Sequence, residues 1–250
     1  DALEQKFSVV DSRVVQKEQI SLPVKDGPLD LGSAKNAPTA IELRFADAGR
    51  GSLYSRVYRF LWSGGNRLDQ KAGTIVAKDW FKDFFPEDQF SAQEDLTPFI
   101  GQEGFKLLPY GSVDTELSAK VAALLKDTSS FDKERMRLAF VGQLYNTNVT
   151  EGELASALWG AAALGEPVIP SIRSLAEKSK DLRTKIFLAL AATELGDHEY
   201  ARSLYEDVLK ETDETKTFAK VTLTDDKLLT LENTALMSIV AARLQEPIAD

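Results

Sequence analysis

Thr150-Glu151-Gly152-Glu153-Leu154-Ala155-Ser156-Ala157-Leu158-Trp159-Gly160-Ala161-Ala162-Ala163-Leu164-Gly165-Glu166-Pro167 is the stretch on which the fold turns. Thr150 followed three residues later by Glu153 is a capping box, in which each side chain satisfies a backbone N–H that the first helical turn leaves unbonded. The box opens a helix from Leu154 to Leu164. Gly165 and Pro167 end it, the first because it accepts left-handed backbone and the second because it cannot continue a helix. The run Ala161-Ala162-Ala163 lets another helix approach closely. The segment has an echo: Ala161-Ala162-Ala163-Leu164-Gly165-Glu166 resembles Ala191-Ala192-Thr193-Glu194-Leu195-Gly196-Asp197 at a spacing of about 31 residues. The second copy continues through Tyr200, Ala201, Leu204, Tyr205 and Leu209, much like the second helix of a tetratricopeptide hairpin.

The same punctuation holds on both sides. Toward the C-terminus a helix is expected near 171–179. Asp181 caps one over 182–195, Asp197 caps the next, and a last helix runs over about 226–244. The short 218–223 segment alternates like a strand. Toward the N-terminus, Asp132 caps a helix carrying Met136, Phe140, Val141 and Leu144. Ser112 or Asp114 caps one carrying Leu117, Val121, Leu124 and Leu125. Residues 87–104 are polar and marked by Gly and Pro, which predicts a long loop. Leu68, Ala72, Ile75, Val76, Trp80 and Phe84 form one apolar stripe, ended by Pro86, and Leu53, Tyr54, Val57, Tyr58, Leu61 and Trp62 form another. Before residue 50 the period becomes two. Ile20, Leu22 and Val24, then Ile41, Leu43 and Phe45, alternate with polar residues, and 47–51 reads as a closing loop.

This sums to about nine helices joined by short links, which makes consecutive helices antiparallel neighbours. The expected fold is mainly α, with antiparallel helical hairpins forming an α/α toroid, complete or partial, over 51–250. A β-rich segment over 1–50 belongs to a flanking β-domain.

The 250 residues suffice for a large core, and 43% apolar with 28% charged residues is ordinary globular composition. A net charge of −9 opposes nucleic-acid binding and adsorption on anionic membranes. No run of 18 apolar residues occurs, so no membrane insertion is expected in these residues. The absence of cysteine excludes disulfides and thiolate chemistry. The chain opens on Asp1-Ala2-Leu3 and ends on Pro247-Ile248-Ala249-Asp250, and both ends read as cut from something longer.

Candidate chemistry is sparse. His198, the single histidine, stands at a helix start where side chains are usually solvated. One histidine is too few for most histidine-based metal sites, and no Gly-x-Ser-x-Gly elbow is present. No cofactor is implied. Asp79, Asp83, Glu87 and Asp88 lie among Trp80, Phe81, Phe84 and Phe85. Paired acids with aromatics suit a glycosidase, while the bland alternative is an amphipathic helix with solvated acids. Asn148-Val149-Thr150 is a formal glycosylation acceptor of low specificity.

One turn is motif-like. Residues 107–125, LLPYGSVDTELSAKVAALL, resemble the start of the thioester domain of α2-macroglobulins, which carries a Tyr-Gly-Cys-x-Glu-Gln turn before an apolar helix. Tyr110 and Gly111 match. Ser112 stands at the Cys, Asp114 at the Glu and Thr115 at the Gln. In the family, the Cys and Gln side chains form a buried internal thioester that captures nucleophiles. Ser112 and Thr115 lack the sulfur and the carboxamide it requires. The resemblance implies a bacterial, thioester-less α/α domain of an exported or cell-surface protein. It would be a non-catalytic scaffold or protein-interaction module, with a protease or cell-surface component as partner. Two alternatives stand beside it: a carbohydrate-active toroid using paired carboxylates, and a tetratricopeptide-like adaptor.

Overall fold

The computed structural model describes residues 50–62, 65–88, 90, 94–210, 212–214 and 219–246. The β-rich segment expected over 1–50 lies outside them, apart from Arg50. The chain divides into two units, Asp1–Arg56 and Val57–Asp250, and the description below concerns the second. It is mainly helical.

Nine α-helices occur among the described residues: α1 Arg50–Trp62, α2 Leu68–Phe84, α3 Thr115–Leu125, α4 Lys133–Leu144, α5 Glu151–Ala163, α6 Ile169–Lys178, α7 Leu182–Glu194, α8 His198–Leu209 and α9 Lys227–Leu244. A two-stranded antiparallel hairpin, β1 Thr212–Glu214 and β2 Ala219–Val221, separates α8 from α9, with Asp213 opposite Lys220. The alternating 218–223 segment therefore supplies β2. Arg50 and Gly51, expected in a loop, already belong to α1.

Acidic side chains start most of these helices. Asp114, Asp132, Asp181, Asp197 and Asp226 each accept a backbone N–H in the first turn of α3, α4, α7, α8 and α9. The capping box of α5 is complete: Glu153 N–H donates to Thr150 Oγ1 at 3.2 Å, and Thr150 N–H donates to Glu153 Oε2 at 2.8 Å.

The helices pack in an alternating order. Odd-numbered helices adjoin in the series α3, α5, α7, α9. Each even helix lies between two of them: α4 touches α3 and α5, α6 touches α5 and α7, and α8 touches α7 and α9. Ion pairs fix the direction of the odd helices. At one end, Glu116 of α3 accepts from Arg183 of α7 at 2.5 Å, Arg183 also reaches Glu232 of α9 at 3.0 Å, and Lys120 of α3 pairs with Glu232. At the other, Lys126 after α3 and Arg243 of α9 both lie 2.7 Å from Glu194, the last residue of α7. The first turns share one end and the last turns share the other, so α3, α7 and α9 are parallel.

Alanines permit this proximity. Ala119, Ala122, Ala155, Ala161, Ala189, Ala191, Ala192 and Ala241 are all buried in one continuous core. Gly160 serves the same end: a Cβ there would meet the Phe140 ring at 2.4 Å, so glycine lets the α4 ring lie flat on α5.

The echo between α5 and α7 has a structural basis. In α5, Glu166 N–H donates to Ala161 O and Gly165 N–H to Ala162 O, with Gly165 at φ +85°. In α7, Asp197 N–H donates to Ala192 O and Gly196 N–H to Thr193 O, with Gly196 at φ +77°. Both are Schellman endings, which satisfy the last carbonyls. The ending recurs in α9, where Glu246 N–H donates to Ala241 O and Gln245 N–H to Ala242 O. Here Gln245 takes φ +58° without being glycine. The sequence pattern appears at the ends of α3, α5, α7 and α9: Ala122-Ala123-Leu124-Leu125-Lys126-Asp127, Ala161 to Glu166, Ala192 to Asp197, and Ala241-Ala242-Arg243-Leu244-Gln245-Glu246, although Lys126 after α3 keeps right-handed helical backbone.

Candidate functional site at the Tyr110–Thr115 turn

The turn is held from beneath by a small strandless knot. Phe105 is fully buried and meets Phe131 edge-on at 5.4 Å. Lys106 N–H donates to Phe99 O at 2.8 Å, and Asp114 N–H donates to Phe105 O at 3.0 Å. Single antiparallel bridges join Ile100 to Phe105 and Lys106 to Val113. The buried Ser118 locks this layer onto α3: its hydroxyl accepts from Phe105 N–H at 2.7 Å and donates to Asp114 O at 2.6 Å. Gly104 is required where it stands, since a Cβ would meet Ser118 Oγ and Val113 Cγ1 at 2.7 Å each. The stretch expected as a plain loop over 87–104 therefore ends in ordered structure, including a 3-10 turn over Thr97–Phe99. Side-chain anchors made that order, not periodicity.

Above the knot the motif residues point outward. Gly111 N–H closes a turn onto Leu108 O at 2.9 Å, and Lys106 Nζ donates to Pro109 O at 2.6 Å. Tyr110 is 85% exposed, and Gly111, Ser112 and Asp114 are exposed beside it. Of the two candidate caps, Asp114 is the one used, accepting Leu117 N–H at 2.9 Å. Ser112 stands two residues too early to reach a first-turn N–H. Thr115 is the first residue of α3 and half-buried. Four of the five motif residues thus lie on one surface turn and the fifth, Thr115, opens α3, with one aspartate committed to capping.

Next to the turn, between Ile100–Gly104 and α4, a cleft of about 30 Å³ is lined by Ile100, Gly104, Phe131, Met136, Asp132 and Arg135, among others. A site for a sugar or cofactor needs on the order of 300 Å³ or more. This one has room for water alone.

The acidic-aromatic segment is arranged differently from the stripe expected for it. Phe81 is fully buried, while Phe84 is 42% exposed. The buried face of α2 runs Leu68, Ala72, Ala77, Phe81. The four-residue step from Ala77 reaches Phe81 and leaves Phe84 on the flank. The rings pack on one another: Phe81 meets Tyr58 at 6.2 Å, Trp80 at 5.1 Å and Phe90 at 5.1 Å, and Trp80 meets Phe84 and Phe85 at 5.4 Å each. Asp79, Asp83 and Glu87 are exposed and Asp88 is half-buried. His198 is exposed at the start of α8, and Asn148 is exposed in the link before α5. Among the described residues, no group of three or more His, Asp or Glu side chains is placed to hold a metal, and no helix is long and apolar enough to cross a membrane.

The features missed from sequence are the two ion clusters. In the first, burial raises the Glu232 carboxyl, but the bonds and charges of Lys120 and Arg183 outweigh it and hold the group below its ordinary value. In the second, the Glu194 side chain is only 3% exposed, at a helix C-terminus where a carboxylate faces the dipole's negative end. Lys126 donates to Oε2, whereas Arg243 approaches Oε1 too obliquely for a hydrogen bond and holds it by charge. No protein-family model, curated protein or solved structure matches the chain.

Proposed function

We propose that the helical unit is a thioester-less, macroglobulin-like α/α module of an exported or cell-surface bacterial protein, acting as a scaffold or protein-interaction surface without catalysis. The observation that carries this reading is the setting of the turn. An internal acyl bond must be sheltered from water until its target arrives, yet Tyr110 through Asp114 lie open to solvent. Ser112 offers a hydroxyl in place of a thiolate, and Thr115 has no carboxamide to lose. The conserved chemistry would need both partners; the turn instead supplies a chain reversal and, through Asp114, a helix cap.

The parallel α3, α7 and α9, tied together at both ends, with each even helix from α4 to α8 against two odd ones, suit the inner row of a toroid. A protein partner is captured, if at all, by shape and charge. The test is intact-mass spectrometry after incubation with methylamine and, separately, with a serine protease. No covalent adduct is expected in either case, and any complex should dissociate in detergent. A methylamine adduct or a detergent-stable complex overturns the reading.

A further inference from the structure

We propose that α9 is the contact surface of a symmetric homodimer, pairing antiparallel with α9 of a second copy about an axis through Ala235. The proposal does not depend on the functional reading above.

The first observation is a second apolar face. Asn233, Leu236, Met237, Val240, Ala241 and Leu244 are buried against the unit. On the opposite side, Leu228, Leu231, Ala235, Ile239 and Ala242 form another stripe at spacings of three and four residues, all exposed. Leu228 is 77% exposed, Leu231 68% and Ile239 41%. Ser238, also on this side, turns its hydroxyl back to Thr234 O at 2.9 Å. No charge interrupts the stripe, in a chain with 28% charged residues. Two leucines this exposed, three apart, are unusual on a finished surface.

The second observation is the repeat. Aligned on the shared ending, Ala192 with Ala241, the exposed positions Ala235, Ile239 and Ala242 correspond to Ile186, Leu190 and Thr193 of α7. Those three are buried. Likewise α5 places the buried Ala155, Trp159 and Ala162 there. The same helical face is covered in the interior repeats and bare in the last. Helices α3, α5 and α7 are each flanked by two even helices, while α9 packs against α8 and β2, neither of which covers this stripe.

The third observation selects the cover. The stripe is its own complement when reversed. A two-fold axis at Ala235 sets Leu228 against Ala242 of the second copy, Leu231 against Ile239, and Ala235 against Ala235. Large residues meet small ones at both ends, and the smallest pair sits at the crossing where backbones come nearest. Isologous pairing demands this self-complementarity, and antiparallel dipoles favour it.

The chain has no cysteine, so single cysteines report contacts cleanly. Ala235→Cys under mild oxidation should give a covalent dimer at least tenfold in excess of that from Leu138→Cys, an exposed position on α4. Leu228→Cys mixed with Ala242→Cys should cross-link, while Leu228→Cys alone should not. Sedimentation of the wild-type chain should approach twice 27.6 kDa at tens of micromolar, about the strength expected of a small interface. Leu231→Glu should weaken it at least tenfold with an unchanged melting curve. A wild-type monomer at ~200 μM, cross-linking of Ala235→Cys no better than Leu138→Cys, or self-cross-linking of Leu228→Cys would each overturn the proposal. The first outcome would assign the stripe to a different partner helix.

Discussion

The two ends of the parallel odd helices carry the same kinds of side chain in opposite circumstances. At the starting end, Glu116, Lys120, Arg183 and Glu232 share charge among four groups that are each about a fifth to a third exposed. At the finishing end, one carboxylate, Glu194, is buried beneath Lys126 and Arg243. Water can replace any member of the first cluster. It cannot reach the carboxylate of the second, so the finishing end depends on its pairs far more than the starting end does. Number of ion pairs is a poor guide to which end holds the unit together.

The largest expected effect tests this directly. Lys126→Ala with Arg243→Ala should strand the Glu194 carboxylate and cost about 3–5 kcal/mol, read from urea unfolding. A cost below about 1 kcal/mol would erase the distinction between the ends. Asp114→Ala removes the cap of α3 at the starting end and should cost about 0.5–2 kcal/mol. Gln245→Gly should gain about 0.5–1 kcal/mol, because glycine takes the left-handed backbone at the end of α9 without strain; a loss would mean the Gln245 side chain has a role of its own. At the starting end, Glu232 has a folded pKa below its unfolded one. Its contribution is therefore full above the unfolded carboxyl value and disappears as the pH falls through the lower folded value. The urea midpoint should drop as the solution is acidified below about pH 4.3, and Glu232→Gln should flatten that drop. Ser112→Ala should change stability by less than about 0.5 kcal/mol, since the hydroxyl caps nothing.

Much of this was legible because it is local. Thr150 and Glu153 announce α5, Asp132, Asp181 and Asp197 announce three more helices, and Gly165 and Gly196 close two of them. Each signal acts within a turn of its own position. What escaped is what depends on partners far along the chain. Phe81 rather than Phe84 faces inward because Tyr58 and Phe90 receive it. The pair Lys126–Glu194 spans 68 residues. The shared ending was partly visible, because Gly165 and Gly196 mark it in α5 and α7, but α9 carries Gln245 at that position, so its copy went unread. At the turn, residue identities were readable and exposure was not, because exposure depends on Ser118 and Phe105 holding the layer beneath.

Asp197, the last residue of the three-residue link between α7 and α8, bonds to both helices. Its N–H finishes α7 on Ala192 O, its carboxylate starts α8 on Tyr200 N–H, and its second oxygen takes Arg173 of α6 at 2.8 Å. The joint therefore has no slack. Lengthening it by one residue would put the end of α7 and the start of α8 out of phase, so the hairpin acts as one part and leaves evolution or an engineer little freedom to insert here.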